Sequence, residues 1–329
     1  MLAVIMTLGA GGDAADRSNH TELILLREEN SRLRSRLQGY NLREQLVHSS
    51  TGTVGSGLSA LVDVAELDAN GAIRMPHNTT YVFMEIGCSD RDTMDQDTLP
   101  KHKDAFLISF EPLLDKYAVL LARGTQDYHQ DKRDMSVPLG HHHRHGVVLP
   151  FAVSATGGSV RFHVSRVAGC SSMLKVNRST RWAQWCLSDL ETRRVPSLTL
   201  ETALGLAGRR PIRQLKLDAQ GADLSLLQSV APGVLRRRVE AVQMEVVADD
   251  CNPLYVGQAL CTEVMQRMQA IGFRPFFRGR AMLPGGAAGG CRRSDFALLM
   301  PERPEQGTCE IDPLFLRGRL RSGATSLIQ

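Results

Sequence analysis

The sequence predicts an α/β fold with a mostly parallel central sheet, on three observations. Tyr81–Pro112 reads YVFMEIGCSDRDTMDQDTLPKHKDAFLISFEP: an apolar run, a glycine turn, a polar stretch, then a second apolar run closing on Glu111. This is the first half of a nucleotide-binding α/β unit. Strand-like runs then alternate with helix-like ones from residue 81 to residue 271, an order that builds parallel sheets. Finally, Phe273–Phe277 and Asp295–Met300 are placed to pair as an antiparallel hairpin across the Gly-rich loop 285–290.

Composition bounds the rest. At 329 residues and 43% hydrophobic, the chain can bury the core of one large domain plus extensions. The net charge of +4 is mild, and aromatic residues make up only 5% of the chain. That is too few for the stacking platforms of single-strand binders, so no nucleic-acid partner is expected. No stretch approaches the roughly 20 apolar residues of a membrane helix. The start, MLAVIMTLGAGGDAAD, fits a signal-peptide core without its basic n-region, the remnant of a longer anchor, or a disordered start.

The chain divides, in order, as follows. Residues 1–20 are the disordered or signal-like start. In 21–47, Leu23, Leu26, Asn30, Leu33, Leu37 and Tyr40 make a short heptad seam. With Asn30 at an a position this fits a parallel two-stranded coil, and so a homodimer; a single amphipathic helix fits it too. Residues 48–59 are a linker rich in Gly, Ser and Thr. Residues 60–300 form the main domain, and 301–329 an extended tail.

Within the main domain, the first strand is Tyr81–Ile86, and a short helix runs from Arg91 to Leu99, ended by Pro100. The second strand is Ala105–Phe110, followed by a helix over Leu113–Ala122. The insertion 124–146 carries His129, His141, His142, His143 and His145; it reads as a substrate-facing loop, with no metal site expected. Val147–Val153 is the third strand, and Val160–Val164 extends a hairpin. Residues 166–192 are irregular, with Trp182 and Trp185 either packing the excursion or stacking on a sugar. A strand running into a helix covers Val195–Leu206, and Gln214–Asp218 is the fourth core strand. A helix over Asp223–Leu235 is broken near Pro232. Val239–Val247 is the fifth strand, and Leu260, Val264, Met268 and Ile271 share one helix face.

Ligands on such sheets bind beyond the carboxyl ends of the strands. The polar groups there are Glu85–Asp90, Glu111, Ser154, Asp218–Asp223 and Glu245. Gly87 admits close backbone approach to a ligand, and Glu111 can accept hydrogen bonds from both hydroxyls of a ribose. For Asp223 a helix-capping or dipole role is the better reading. Seven cysteines contain no CxxC pair, which argues against structural zinc. Cys88 is expected to line the cofactor site. The other six are expected to form disulfides if the chain is secreted, with sequence proximity favouring Cys170–Cys186, Cys251–Cys261 and Cys291–Cys309. Sequons at Asn19, Asn78 and Asn177 lean toward the secretory pathway, with the cytoplasm as the other compartment.

EIGCSD, FLISFEP, LPFAVSATGGSVRFHVS and the run from SLTLETAL to LKLDAQGAD resemble, in order and spacing, the successive motifs of FkbM-family methyltransferases. The resemblance implies the class I Rossmann-like methyltransferase fold, S-adenosyl-L-methionine as cofactor, and methylation of a hydroxyl on a sugar or other small acceptor. It places Glu85, Gly87, Cys88, Ser89 and Asp90 in the first cofactor motif and Glu111 with Pro112 at the ribose. Ala152, Val153 and Ser154 fall beside the adenine, and Asp218, Gln220 and Gly221 beside the reacting methyl. Two positions depart from the family pattern: Arg91 stands where a glycine is usual, and Gln220 where the family has Glu.

Asp218 is the first candidate for base or acceptor-orienting group, with Glu245 and then His163 behind it. Two other readings compete. One is a non-catalytic binding or assembly domain that keeps the fold, suggested by Arg91 and Gln220. The other is a nicotinamide-dependent oxidoreductase, against which the missing GxGxxG counts.

Overall fold

The computed structural model describes residues 65, 67–89, 94–122, 145–167, 169–180, 183–187, 191–277, 280–282, 290–299 and 309–317. The expectations for 1–64, including the heptad seam and linker, lie outside the described residues. So do those for Asp90, Arg91, Trp182 and the insertion histidines other than His145.

The core is an eight-stranded sheet. Its central strands are β1 (Tyr81–Ile86) and β2 (Ala105–Phe110), paired in parallel with Glu85 opposite Ser109. Every residue of AFLISF is buried, as are all those of YVFMEI except the half-buried Tyr81. Strands covered on both faces read as unbroken apolar runs, which is why these two are plain in the sequence. Beyond β2 lies β3 (Gly146–Leu149); on the other side of β1 come β7 (Ile212–Leu217) and β8 (Ala241–Met244), all parallel. The strand order therefore reverses at β1, and a crevice opens beyond the carboxyl ends of β1 and β7.

Helices cross between these strands: α1 (Met94–Asp97), α2 (Leu114–Ala122), α3 (Ala183–Cys186), α4 (Leu200–Gly205), α5 (Asp223–Gln228) and α6 (Pro232–Arg238). Thr199 caps α4, its hydroxyl accepting the Thr202 N–H at 3.1 Å. Pro232 opens α6 at the position where a missing N–H costs least, which splits the expected Asp223–Leu235 helix. Helix α7 (Cys261–Ile271) buries Val264, Met268 and Ile271, and Gly272 ends it at φ 98°.

Three expectations are corrected here. Val147–Val153 is not one strand. Pro150 interrupts it, and β4 (Ala152–Ser154) joins a separate three-stranded sheet with β6 (Glu191–Thr199) and β5 (Gly158–Val164). The fifth strand breaks at Glu245, leaving β9 (Val246–Val247) to pair with β12 (Glu310–Ile311). The terminal hairpin also has a different partner. Residues Arg293–Leu299 form α8, with Asp295 accepting the Arg292 N–H and Phe296 and Leu299 facing the core. An apolar run this short does not distinguish strand from helix. The strand beside β10 (Phe273–Phe277) is β13 (Leu314–Arg317), inside the segment read as a tail, and β11 (Arg280–Ala281) pairs on the other side. β13 runs antiparallel between β8 and β10, with Phe315 fully buried.

The disulfide pairing is corrected as well. Cys170–Cys186 is as expected, but the others are Cys251–Cys309 and Cys261–Cys291. Because β12 pairs with β9, Cys309 is carried next to the segment after β9, where the Ala248 N–H bonds to its carbonyl. Among the described residues no helix is long and apolar enough to cross a membrane.

Candidate active site

The site is built first by the turn after β1. Gly87 has φ 80°, and a Cβ there would sit 2.1 Å from the Asp218 carbonyl oxygen. No side chain fits, so the β1 and β7 termini touch backbone to backbone. Ser89 follows at φ 52°, which aims its N–H at the Glu111 carboxylate, 2.9 Å from Oε2. The Leu113 N–H donates to the other oxygen at 2.8 Å, and the Lys116 ammonium donates to the Ser89 hydroxyl. Burial nevertheless pushes the Glu111 pKa up to about 7, against the lowering effect of Leu113, Lys116 and Ser89. Glu111 thus stands oriented at the end of β2 with each oxygen keeping lone-pair capacity.

The second wall comes from the turn after β7. Gln220 adopts φ 51°, uncommon for a residue with a Cβ. Three hydrogen bonds hold it: its Nε2 donates to Asp218 Oδ1 at 2.6 Å, its Oε1 accepts from the Tyr255 hydroxyl at 2.8 Å, and its carbonyl accepts from the Ser172 hydroxyl at 2.7 Å. Gly221 follows at φ 89°, packed so closely on the Tyr255 ring that a Cβ would lie 2.9 Å from it. Asp223 fastens the same loop by accepting the N–H groups of Ala219 and Gly221. Burial raises the Asp223 pKa to about 6. Asp223 is therefore a brace for the turn and sits in the first turn of α5.

Between the two walls lies a partly open cleft. Gly87, Ser89, Glu111, Pro112, Ala152, Val153, Asp218 and Gln220 line it, so eight of the expected site residues meet there. Phe151, Phe162, Gly169, Ser171 and Met173 close it from above. A second, more polar cavity of about 1020 Å³ shares Asp218 and Gln220 with the first and is lined also by Lys216, Gln243, Glu245 and Asp312.

Five expected residues stand elsewhere. Glu85 is fully buried behind the turn, where Lys216 Nζ reaches its Oε1 at 2.9 Å and the Met94 N–H donates to it. Burial lifts the Glu85 pKa to about 7, opposed by Lys216. Ser154 is buried against Ser197, its Oγ accepting at 2.7 Å. The expectation that Cys88 lines the cleft is corrected: its side chain packs into the core with Phe83, Met94 and Leu99, and burial raises its thiol pKa. Glu245 faces the second cavity, where burial, then Glu310, raises its pKa well above the usual range. His163 does not face the cleft, because Phe162 beside it does and neighbours on a strand point to opposite faces.

Lys216 and Tyr255 were not picked out from the sequence. In QLKLD the lysine alternates with leucines, beside Gln214 and Asp218 on the polar register, which hints only at a polar neighbour across the sheet. Tyr255 carried no such sign, since only the fold brings residue 255 to residue 220. Trp185 is 58% exposed, so it does not pack the excursion down. Among the described residues no three His, Cys, Asp or Glu side chains gather in a metal-ligating group.

No curated protein matches the chain. A family model described as the methyltransferase FkbM domain matches residues 91–275, more than half of the sequence and most of the sheet that carries the cleft. The chain belongs to the FkbM methyltransferase family.

Proposed function

We propose that the chain is an S-adenosylmethionine-dependent methyltransferase acting on a hydroxyl of a sugar or other small acceptor. The observation that carries this reading is the junction of two cavities at Asp218 and Gln220: one sets the Glu111 carboxylate beside an apolar wall, the pairing a nucleoside needs, and the other is lined mostly by polar side chains, as a hydroxylated acceptor needs. The strand order, with one antiparallel strand between β8 and β10, supports the class I methyltransferase fold.

The residues fit the cofactor. Glu111, held by two backbone N–H groups, would accept the ribose hydroxyls. Gly87 leaves room where a Cβ would collide, and Phe151, Ala152 and Val153 offer an apolar wall for the adenine. When bound, S-adenosylmethionine supplies an electrophilic methyl group on a sulfonium sulfur. The work left to the chain is alignment and proton removal. Asp218 Oδ1 is taken by the Gln220 amide, which leaves Oδ2 to receive the acceptor's hydroxyl proton. Glu245, with its pKa raised by burial, serves as a hydrogen-bond donor to the acceptor rather than as a base. The paired cysteines support work in an oxidising, secretory compartment.

The test is calorimetric titration of S-adenosylmethionine and S-adenosylhomocysteine into the full chain, with Glu111→Ala as control. Micromolar binding lost in the variant is the expected result; a folded protein that binds neither ligand sinks the reading. The Gln220 amide in place of the family's carboxylate favours one competing reading, a domain that binds the cofactor without turnover. Tight cofactor binding with no methyl transfer across a panel of glycans and small hydroxylated acceptors would select it.

A further inference from the structure

The β5–β6 ribbon carries a face that the cleft does not use. In the antiparallel register Arg161 stands directly opposite Arg194, and His163 opposite Thr192. Directly opposed residues share one side of a ribbon, and like charges so placed are destabilising. Phe162, which lines the cleft, belongs to the other side. Arg161, Arg194 and Lys175 are all exposed, and the pKa of His163 is lowered by burial, then by Lys175 and Arg161, so both of these lie within electrostatic reach of His163. Two acids beside the ribbon are already engaged: Glu191 on β6 and Asp115 on α2 both pair with Arg193. Among the described residues no carboxylate pairs with Arg161, Arg194 or Lys175.

The charge is concentrated in this excursion. Residues 158–194 contain seven Lys and Arg against two Asp and Glu, in a chain whose net charge is only +4, so the remainder is close to balanced. The face also adjoins the site: Ser172 pairs with β5 at His163, and Ser171 and Met173 on either side of it line the cleft.

We propose that the Arg161–Arg194–Lys175 face is a docking surface for an anionic glycan chain, one carrying sulfate or uronic carboxylate groups. Two opposed arginines present planar donor forks suited to such oxyanions. The side chains that share the arginine face of the ribbon include no Phe, Tyr or Trp: they are Ser159, His163, Thr192 and Pro196. Base stacking, which drives single-strand nucleic-acid binding, therefore has no platform here. Three disulfides belong to oxidising compartments, where acidic glycans are the abundant polyanions. This goes beyond the methyltransferase reading, and the docking is measured without cofactor so that the two can fail separately.

The probe is heparin, titrated against the full chain at rising salt, beside Arg161→Ser/Arg194→Ser and a control of equal charge, Arg267→Ser/Arg274→Ser. Each exposed ion pair is modest, so the ribbon variant should bind about tenfold more weakly and the control less than about twofold. Its melting temperature should hold or rise, because a like-charge pair is removed. The single change Lys175→Ser, expected to weaken binding about threefold, tests the face without touching the ribbon. Equal loss in ribbon and control variants would mean diffuse charge and overturn the proposal. So would tighter binding of a single-stranded oligothymidylate of matched charge than of heparin.

Discussion

Replacing Gln220 with Glu restores the acid expected from the family pattern, yet here it should be harmful above neutral pH. In the native chain the Gln220 amide donates to Asp218 Oδ1 at 2.6 Å while its oxygen takes the Tyr255 hydroxyl. Glu has the same shape and can keep the tyrosine bond, but its second oxygen would face Asp218. Two carboxylates 4 Å apart at an effective dielectric of 20 repel by about 4 kcal/mol. At 1.36 kcal/mol per decade, that holds one proton on the pair up to about pH 7. Both groups ionise near pH 4 in the unfolded chain. The pair's raised folded-state pKa therefore gives stability that is present below about pH 4 and lost as pH climbs to about 7. Urea unfolding of Gln220→Glu against wild type should show a difference under about 1 kcal/mol at pH 4.5 and about 3 to 4 kcal/mol at pH 8. S-adenosylmethionine affinity should follow the same pH trend. A stability difference that does not change between the two pH values would refute the reasoning, since the amide could not then be what shields Asp218.

Other outcomes follow from the same geometry. Gly87→Ala, which forces a Cβ onto the Asp218 carbonyl and a positive φ onto alanine, should cost more than about 2 kcal/mol in chemical denaturation; an unchanged midpoint would contradict the close approach. The raised pKa of Glu111, about 7, means its protonated form stabilises the empty protein below about pH 4.5, an effect lost as pH rises through 7. Ribose hydroxyls need the ionised carboxylate, so cofactor should bind about tenfold more weakly at pH 6 than at pH 8, with proton release visible as a buffer-dependent heat. Pairwise disulfide mapping of the non-reduced chain should return Cys251–Cys309 and Cys261–Cys291. Removing the latter with Cys261→Ala/Cys291→Ala, a loop of 30 residues, should cost about 4 kcal/mol on the loop-entropy scale.

Much of the parallel half of the sheet was legible because its strands are buried on both faces and read as plain apolar runs. The turn at Gly87 and the acid at Glu111 followed from chain order alone. What the sequence concealed depends on contacts between distant segments. The partner of β10 lies in β13 rather than in α8, since DFALLM is apolar enough for either structure and only Asp295 at its start signals a helix. Cys309 reaches Cys251 because β12 and β9 pair, so sequence proximity chose the wrong partners. Cys88 was misplaced by half a turn of backbone: with Gly87 and Ser89 both at positive φ, the side chain between them points into the core. Met173 lies in the irregular excursion, Phe162 on the ribbon strand before it and Tyr255 in the loop ahead of α7, and nothing local marks the first two as walls of the cleft or the third as the support of Gln220.

Strand β13 has a consequence for how the protein is made. It is the last described strand in the chain, yet it occupies an interior place, between β8 and β10. Until residues 314–317 have left the ribosome, both neighbours expose an open edge, and unpaired edges recruit other chains. More than 60 residues separate β8 from its partner, so the nascent domain waits with a slot in its sheet. Bond formation between Cys251 and Cys309 would tether the approaching segment next to that slot. A chain terminated before residue 314 should therefore be found in aggregates or held by chaperones, even though every residue of the cleft is already present.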